Sequence, residues 1–212
     1  MLLSILGAAG GVGREVVRLA LAEGHEVRAL VRDKERLTIS HERLMVVEGD
    51  ATEAAVVASA LAEADAVVYA LGVSKRSAAD TGRRAMEHVL AAMCTVGITR
   101  LVAINGAATQ VAGDAPAWQA RLAAALARRL LPDVVADKQA EADVLAASGG
   151  GLAWTMVRPP RLVDGPPRGG YRLSDDAPGL TTRAIRRADV GRALVDLTVG
   201  GGHERQAPYL TY

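Results

Sequence analysis

The sequence predicts an α/β fold, a doubly wound parallel sheet built as a single domain of 212 residues. Three observations carry that expectation. An apolar strand, Leu2 to Leu6, runs into a glycine-rich turn and straight on into a helix. Strand-length apolar runs then alternate with stretches of helical period along the chain. The run Ala66 to Ala70 is almost continuously apolar, as a parallel strand covered on both faces is.

The opening stretch LLSILGAAGGVGREVV organises the rest. Gly7 lets the chain leave the strand tightly, Gly10 lets backbone approach a ligand with no Cβ in the way, and Gly13 lets the helix pack closely on the sheet. N–H groups of the first helical turn carry partial positive charge that suits an anion. The candidate dinucleotide contacts are therefore Gly7, Ala9, Gly10, Gly11, Val12 and Gly13. The spacing is G-x-x-G-x-x-G rather than G-x-G-x-x-G, and a tight turn without a ligand is the alternative.

Val12 to Ala22 repeats apolar residues at helical spacing until Gly24, and Glu26 to Val31 reads as the second strand. The residue after that strand selects the cofactor, because it lies beside the adenosine ribose. Here Arg32 comes first, with Lys34 and Arg36 close behind. An arginine pairs with a 2′-phosphate, so NADP(H) is preferred over NAD(H). Asp33 as a ribose acid, giving NAD, and an ordinary charged turn are the competing readings.

Leu44 to Glu48 is the third strand, followed by Asp50 and Ala51 and a helix over Glu53 to Glu63. Asp50 either accepts from the adenine amino group or caps that helix. Ala66 to Ala70 is the fourth strand, ending in Leu71 and Gly72, where backbone lies against a cofactor or simply turns. Ser74 to Asp80 is a polar loop, Thr81 to Val96 a long helix closed by Gly97, and Leu101 to Ile104 the fifth strand. Ala117 to Leu131 reads as an amphipathic helix, its stripe of Trp118, Leu122, Leu126 and Leu130 expected to pack on the body as a cover; a membrane-surface helix is the other reading. A glycine- and proline-rich loop follows over Val163 to Leu180, then a helix over Ala188 to Val199 and an edge strand at Tyr209 to Tyr212.

The run GAAGGVG, the LVRD after the second strand, the GD after the third, and the blocks ADKQAEADVLAASGGGLAWTMVRPPRL and RRADVGRALVDL resemble the atypical short-chain dehydrogenase/reductases. More narrowly they resemble the NAD(P)H-binding group that holds biliverdin reductase B (flavin reductase) and the NmrA-like proteins. The likeness spans nearly the whole chain. It implies a Rossmann fold with a small substrate-covering segment and usually NADPH. Activities in the group run from flavin, quinone or biliverdin reduction to cofactor sensing without turnover.

Departures from the family narrow the chemistry. Ordinary short-chain reductases use Ser…Tyr-x-x-x-Lys, in which the lysine lowers the tyrosine pKa. Lys138 fits the lysine, but Val134 stands four residues before it, and none of Tyr69, Tyr171, Tyr209 and Tyr212 has a lysine four residues on. Lys138 can still hydrogen-bond a nicotinamide ribose, or it is a helical lysine paired with Glu141. Beside the nicotinamide, Pro159 fixes the chain. Alignment with the group places Asn105 and Gly106 after the fifth strand, and Arg161 after the Pro-Pro, on the substrate side. Gly106 and Arg161 replace the group's serine and histidine, which disfavours biliverdin and leaves a planar or anionic acceptor that Arg161 could pair with; a surface arginine is the alternative.

Composition removes other classes. A net charge of +1 offers no field for nucleic acid or an acidic membrane, and no uncharged apolar run reaches a spanning length. The single cysteine, Cys94, and the lack of a leader at the N-terminus point to the cytoplasm. Four scattered histidines form no metal-ligand pattern, and neither G-x-S-x-G nor a P-loop occurs. The expectation is an NADPH-dependent reductase acting on a small-molecule acceptor, with flavin a possible substrate. The alternatives are a non-catalytic NmrA-like NADP(H) sensor and a scaffold that uses the Ala117 to Leu131 helix.

Overall fold

The computed structural model describes residues 1–73, 77–179 and 182–212. Ser74 and Leu180, at the ends of two expected loops, lie outside the described residues. In chain order the elements are β1 (Leu2–Leu6), α1 (Gly11–Ala22), β2 (Glu26–Val31), β3 (Leu44–Glu48), α2 (Ala54–Leu61), β4 (Ala66–Tyr69), α3 (Thr81–Val96) and β5 (Arg100–Ile104). They continue as α4 (Trp118–Leu130), α5 (Pro132–Ala146), β6 (Ala153–Val157), β7 (Leu162–Val163), β8 (Arg172–Ser174), β9 (Ile185–Arg186), α6 (Arg187–Gly200) and β10 (Tyr209–Thr211).

The main sheet has the order β3-β2-β1-β4-β5-β6, with every neighbouring pair parallel. Strand order reverses between β1 and β4, so a crevice opens at their carboxyl ends. Alternation along the strands feeds two cores. Ile5, Ala29, Val68, Val102 and Val157 pack with α1 and α6, whereas Leu6, Leu30, Tyr69, Ala103 and Met156 pack with α2, α3 and α5. This Rossmann architecture is the one the apolar runs predict.

Several boundaries have local causes. α2 ends at Leu61, short of the expected Glu63, because Ala62 turns out of the helix at ψ 130 and Glu63 follows at φ 60. α3 ends on Gly97 at φ +78, where a side chain would be strained. Pro132 at the first position of α5 separates it from α4, since a helix start needs no N–H there.

Two expectations require correction. The stripe expected to pack on the body is exposed: Trp118 at 69%, Leu122 at 51%, Leu126 at 50% and Leu130 at 61%. α4 meets the body through Ala120 and Ala124 instead, because small side chains permit the closer approach. The loop over Val163 to Leu180 contains β8; the edge strand expected at Tyr209 to Tyr212 forms as β10, which pairs antiparallel with β8 and bridges the end of β6 at Arg158. β7 and β9 form a second small parallel pair.

Arg158, 2% exposed, joins the loop after β5 and the stretch leading into β10 to the end of β6. Its Nη1 donates to Asp114 Oδ2 at 2.5 Å and Thr109 O at 3.0 Å, Nη2 to Asp114 Oδ1 at 2.9 Å, and Nε to Ala207 O at 2.6 Å. The guanidinium also lies 3.9 Å from the Tyr209 ring centre. Removing one partner of such a pair strands the other without water. Arg158→Ala is expected to cost about 3–5 kcal/mol in chemical denaturation; a loss under about 1 kcal/mol, the range of an exposed pair, would contradict this role.

Candidate active site

At the carboxyl end of β1 the backbone is drawn into close contact by missing side chains. Gly7 adopts φ +78, and a Cβ on it would meet Ala70 O at 2.5 Å. A Cβ on Gly13 would run into the Gly7 carbonyl and the Ala8 backbone. Gly10 N donates back to Gly7 O at 2.9 Å, and Gly10 caps α1 with no side chain over the helix start. No acidic residue stands in the first turn of α1, so its amides present uncompensated positive potential.

A cleft beside this turn is lined by Gly7, Ala9, Gly10, Leu30, Val31, Arg32, Asp33, Arg36, Gly49, Ala51, Leu71 and Gly72. Seven of the sequence-derived candidates thus share one wall: Gly7, Ala9, Gly10, Arg32, Ala51, Leu71 and Gly72. Val12, Gly13 and Ala70 are buried behind it and build the crossing. Gly11 opens α1 at its edge.

Charges around the far end are sorted by their partners. Arg32 and Arg36 are exposed at the cleft. Asp33 is engaged locally: its carboxylate accepts from Glu35 N at 3.0 Å and caps a 3-10 turn over Lys34–Arg36. Asp50 Oδ1 accepts from Thr52 N and Thr52 Oγ1, both at 2.8 Å. The Thr52 amide, its hydroxyl and the nearby Arg32 and Arg84 hold the Asp50 carboxyl below its ordinary range, against a smaller opposing effect of burial.

The opposite end carries a polar network inside the sheet edge. Lys138 Nζ donates to Leu71 O at 3.0 Å and to Glu141 Oε1 and Oε2 at 3.0 and 2.8 Å. Its side chain is 16% exposed and that of Glu141 only 1%. Asn105 Nδ2 donates to Lys138 O at 3.0 Å and Glu141 Oε1 at 3.1 Å, while its Oδ1 accepts from Gly106 N and Thr109 Oγ1. Asn105 therefore fastens the loop after β5 to α5, with its side chain turned inward. Burial pushes the Glu141 carboxyl up, against the pull of the Lys138 ammonium. Tyr69 OH donates to Glu141 Oε2 at 3.3 Å, and burial with that carboxylate raises its pKa well above the usual phenol value. Pro159 is buried with its carbonyl accepting from Ala107 N at 3.1 Å, Gly106 is half-buried, and Arg161 is exposed.

Two features were not read from the sequence. Glu141 entered only as a helical neighbour of Lys138, yet it joins β4, β5 and α5; its spacing of three from Lys138 was the available signal. Arg187, within the RRADV block, lies directly over Gly11, and nothing in linear spacing connects positions so far apart. Among the described residues no group of His, Cys, Asp and Glu is placed to hold a metal, and no helix is long and apolar enough to cross a membrane.

Comparison with known proteins agrees with this architecture. A reductase of Streptomyces griseus acting on (4-alkanoyl-5-oxo-2,5-dihydrofuran-3-yl)methyl phosphate is 28% identical over 96% of this chain, which spans 65% of that relative's length. The uncharacterised YwnB of Bacillus subtilis is 27% identical over 92% of this chain and 91% of its own. Among solved structures, a short-chain dehydrogenase/reductase of Veillonella parvula in complex with NADP superposes with a TM-score of 0.82 at 20% identity, covering 100% of this chain and 94% of that one. The anaerobilin reductase ChuY of Escherichia coli O157:H7 gives 0.76 at 23% identity, covering 100% and 97%. The family described as NAD(P)H-binding matches residues 7–199. On that match the chain belongs to the NAD(P)H-binding family.

Proposed function

We propose that this chain is an NADPH-dependent reductase that passes hydride from nicotinamide to a flavin, quinone or similar conjugated small-molecule acceptor. The observation that carries the reading is the continuity of the site: the cleft runs from Arg32 past Gly10 to Leu71, and Lys138 is held 3.0 Å from the Leu71 carbonyl. The family membership and the phosphate-bearing substrate named for the S. griseus reductase support it. Bound NADP(H) supplies the hydride; the chain supplies position and charge.

Each residue has a role in that reading. Arg32 pairs with the 2′-phosphate and gives NADP(H) its preference over NAD(H). The α1 amides after Gly10 receive the pyrophosphate. Asp50, kept ionised by Thr52 and Arg32, faces the adenosine end as an acceptor. Lys138, fixed by Glu141, hydrogen-bonds the nicotinamide ribose, and Pro159 and Gly72 bound that end. Tyr69 is sealed inside the network and does not serve as the acid, so the acceptor takes its proton from solvent. Gly106 and Arg161 face the acceptor side, Arg161 as partner for a carboxylate or phosphate. Asn105 acts through Lys138. The single cysteine suits a cytoplasmic enzyme, and a formal net charge of +1 gives no reason for nucleic acid as a partner.

Two measurements test this. NADPH oxidation against FMN, FAD, small quinones and biliverdin should show turnover with at least one acceptor; tight NADPH binding without any turnover would favour a sensor. Arg32→Ala should weaken NADPH by about tenfold or more, the value of one charge-assisted bond, while NADH changes by less than about twofold. Equal loss for both cofactors would contradict the 2′-phosphate assignment.

A further inference from the structure

We propose that Arg187 is a cofactor-binding residue whose guanidinium is shared between the dinucleotide pyrophosphate and Asp164, so that cofactor binding competes with the anchoring of the loop after β7. This rests on the NADP(H) reading of the cleft.

The placement follows from backbone packing. Gly11 is the first residue of α1, and a Cβ there would meet Arg187 Cδ at 2.6 Å and Nε at 2.8 Å. The missing side chain leaves a slot at the helix start, and Arg187, the first residue of α6, fills it. α6 is held against α1 by a second close approach, since a Cβ on Gly191 would meet Glu15 Cβ at 2.7 Å. The Arg187 side chain is thereby fixed against Gly11, the first residue of a helix whose start favours an anion.

Its present partner is a weak competitor. Arg187 Nη1 donates to Asp164 Oδ1 at 2.6 Å, but the Asp164 side chain is 89% exposed and that of Arg187 31%. An ion pair so open to water contributes little. A pyrophosphate brings two charges to a less solvated place and accepts the same fork of N–H donors. Asp164 belongs to the segment leading toward β8, so the same arginine would link cofactor binding to the anchoring of that segment. A purely structural ion pair has a different signature: its two partners would act alike on stability and neither on cofactor affinity.

The test is equilibrium binding of NADPH and NADH, by calorimetry or fluorescence, to the full chain and to Arg187→Ala, Arg187→Lys and Asp164→Asn, with thermal unfolding recorded for each. Arg187→Ala should weaken both cofactors equally, by about tenfold, because the pyrophosphate is common to them. Arg187→Lys should retain part of that affinity and covers the case in which the alanine variant does not fold. Asp164→Asn should tighten both cofactors by about threefold, by releasing the arginine from an exposed pair. Unchanged affinity in Arg187→Ala, or weaker binding in Asp164→Asn, overturns the proposal. If the unaltered chain binds neither cofactor, the reading of the cleft falls and this proposal with it.

Discussion

The structure depends on one steric constraint: three backbone segments meet at the end of β1 at distances that exclude side chains. Gly7 presses on Ala70, and Gly13 on Gly7 and Ala8. This crossing seats α1 on the sheet and joins the ends of β1 and β4 at the point where strand order reverses. The first amides of α1 consequently face a cleft whose walls are the ends of neighbouring strands. The cleft is a product of close packing, and its chemistry follows from which residues the strand ends carry. Arg32 after β2, Ala51 after β3 and Leu71 after β4 fall on it because parallel strands in register end side by side.

The second organising interaction is the buried network on α5. A carboxylate such as Glu141 is costly to bury alone, and it is retained here with Lys138, Asn105 and Tyr69 bonded to it. The network fastens the ends of β4 and β5 to one helix and bonds the Lys138 ammonium to the carbonyl of Leu71, a residue of the cleft wall. The space behind Lys138 is filled by bonded polar atoms, and the phenol nearby, Tyr69, is 0% exposed.

Much of the fold was legible because it is written in local patterns. β1, β2 and β3 run between the residues expected, and the glycine turn lies where its spacing requires. Seven candidate residues share the cleft for the same reason: each sits at or just after a strand end, where periodicity and the glycine spacing point. What stayed hidden depends on which surface is opposite. The stripe from Trp118 to Leu130 has the period of a packed face, yet Ala120 and Ala124 win the contact because they allow closer approach. Arg187 reaches Gly11 only because α6 lies along α1, a pairing that no single stretch of sequence encodes.

Whether a dinucleotide lies across the glycine turn, with its adenosine at Arg32 and its nicotinamide at Lys138, is answered by a crystal structure of the chain grown with NADP+. The pyrophosphate is expected on the Gly10–Gly11 amides, the 2′-phosphate beside Arg32 and the nicotinamide ribose within hydrogen-bond reach of Lys138. A dinucleotide seated elsewhere, or an empty cleft at saturating NADP+, would contradict that placement.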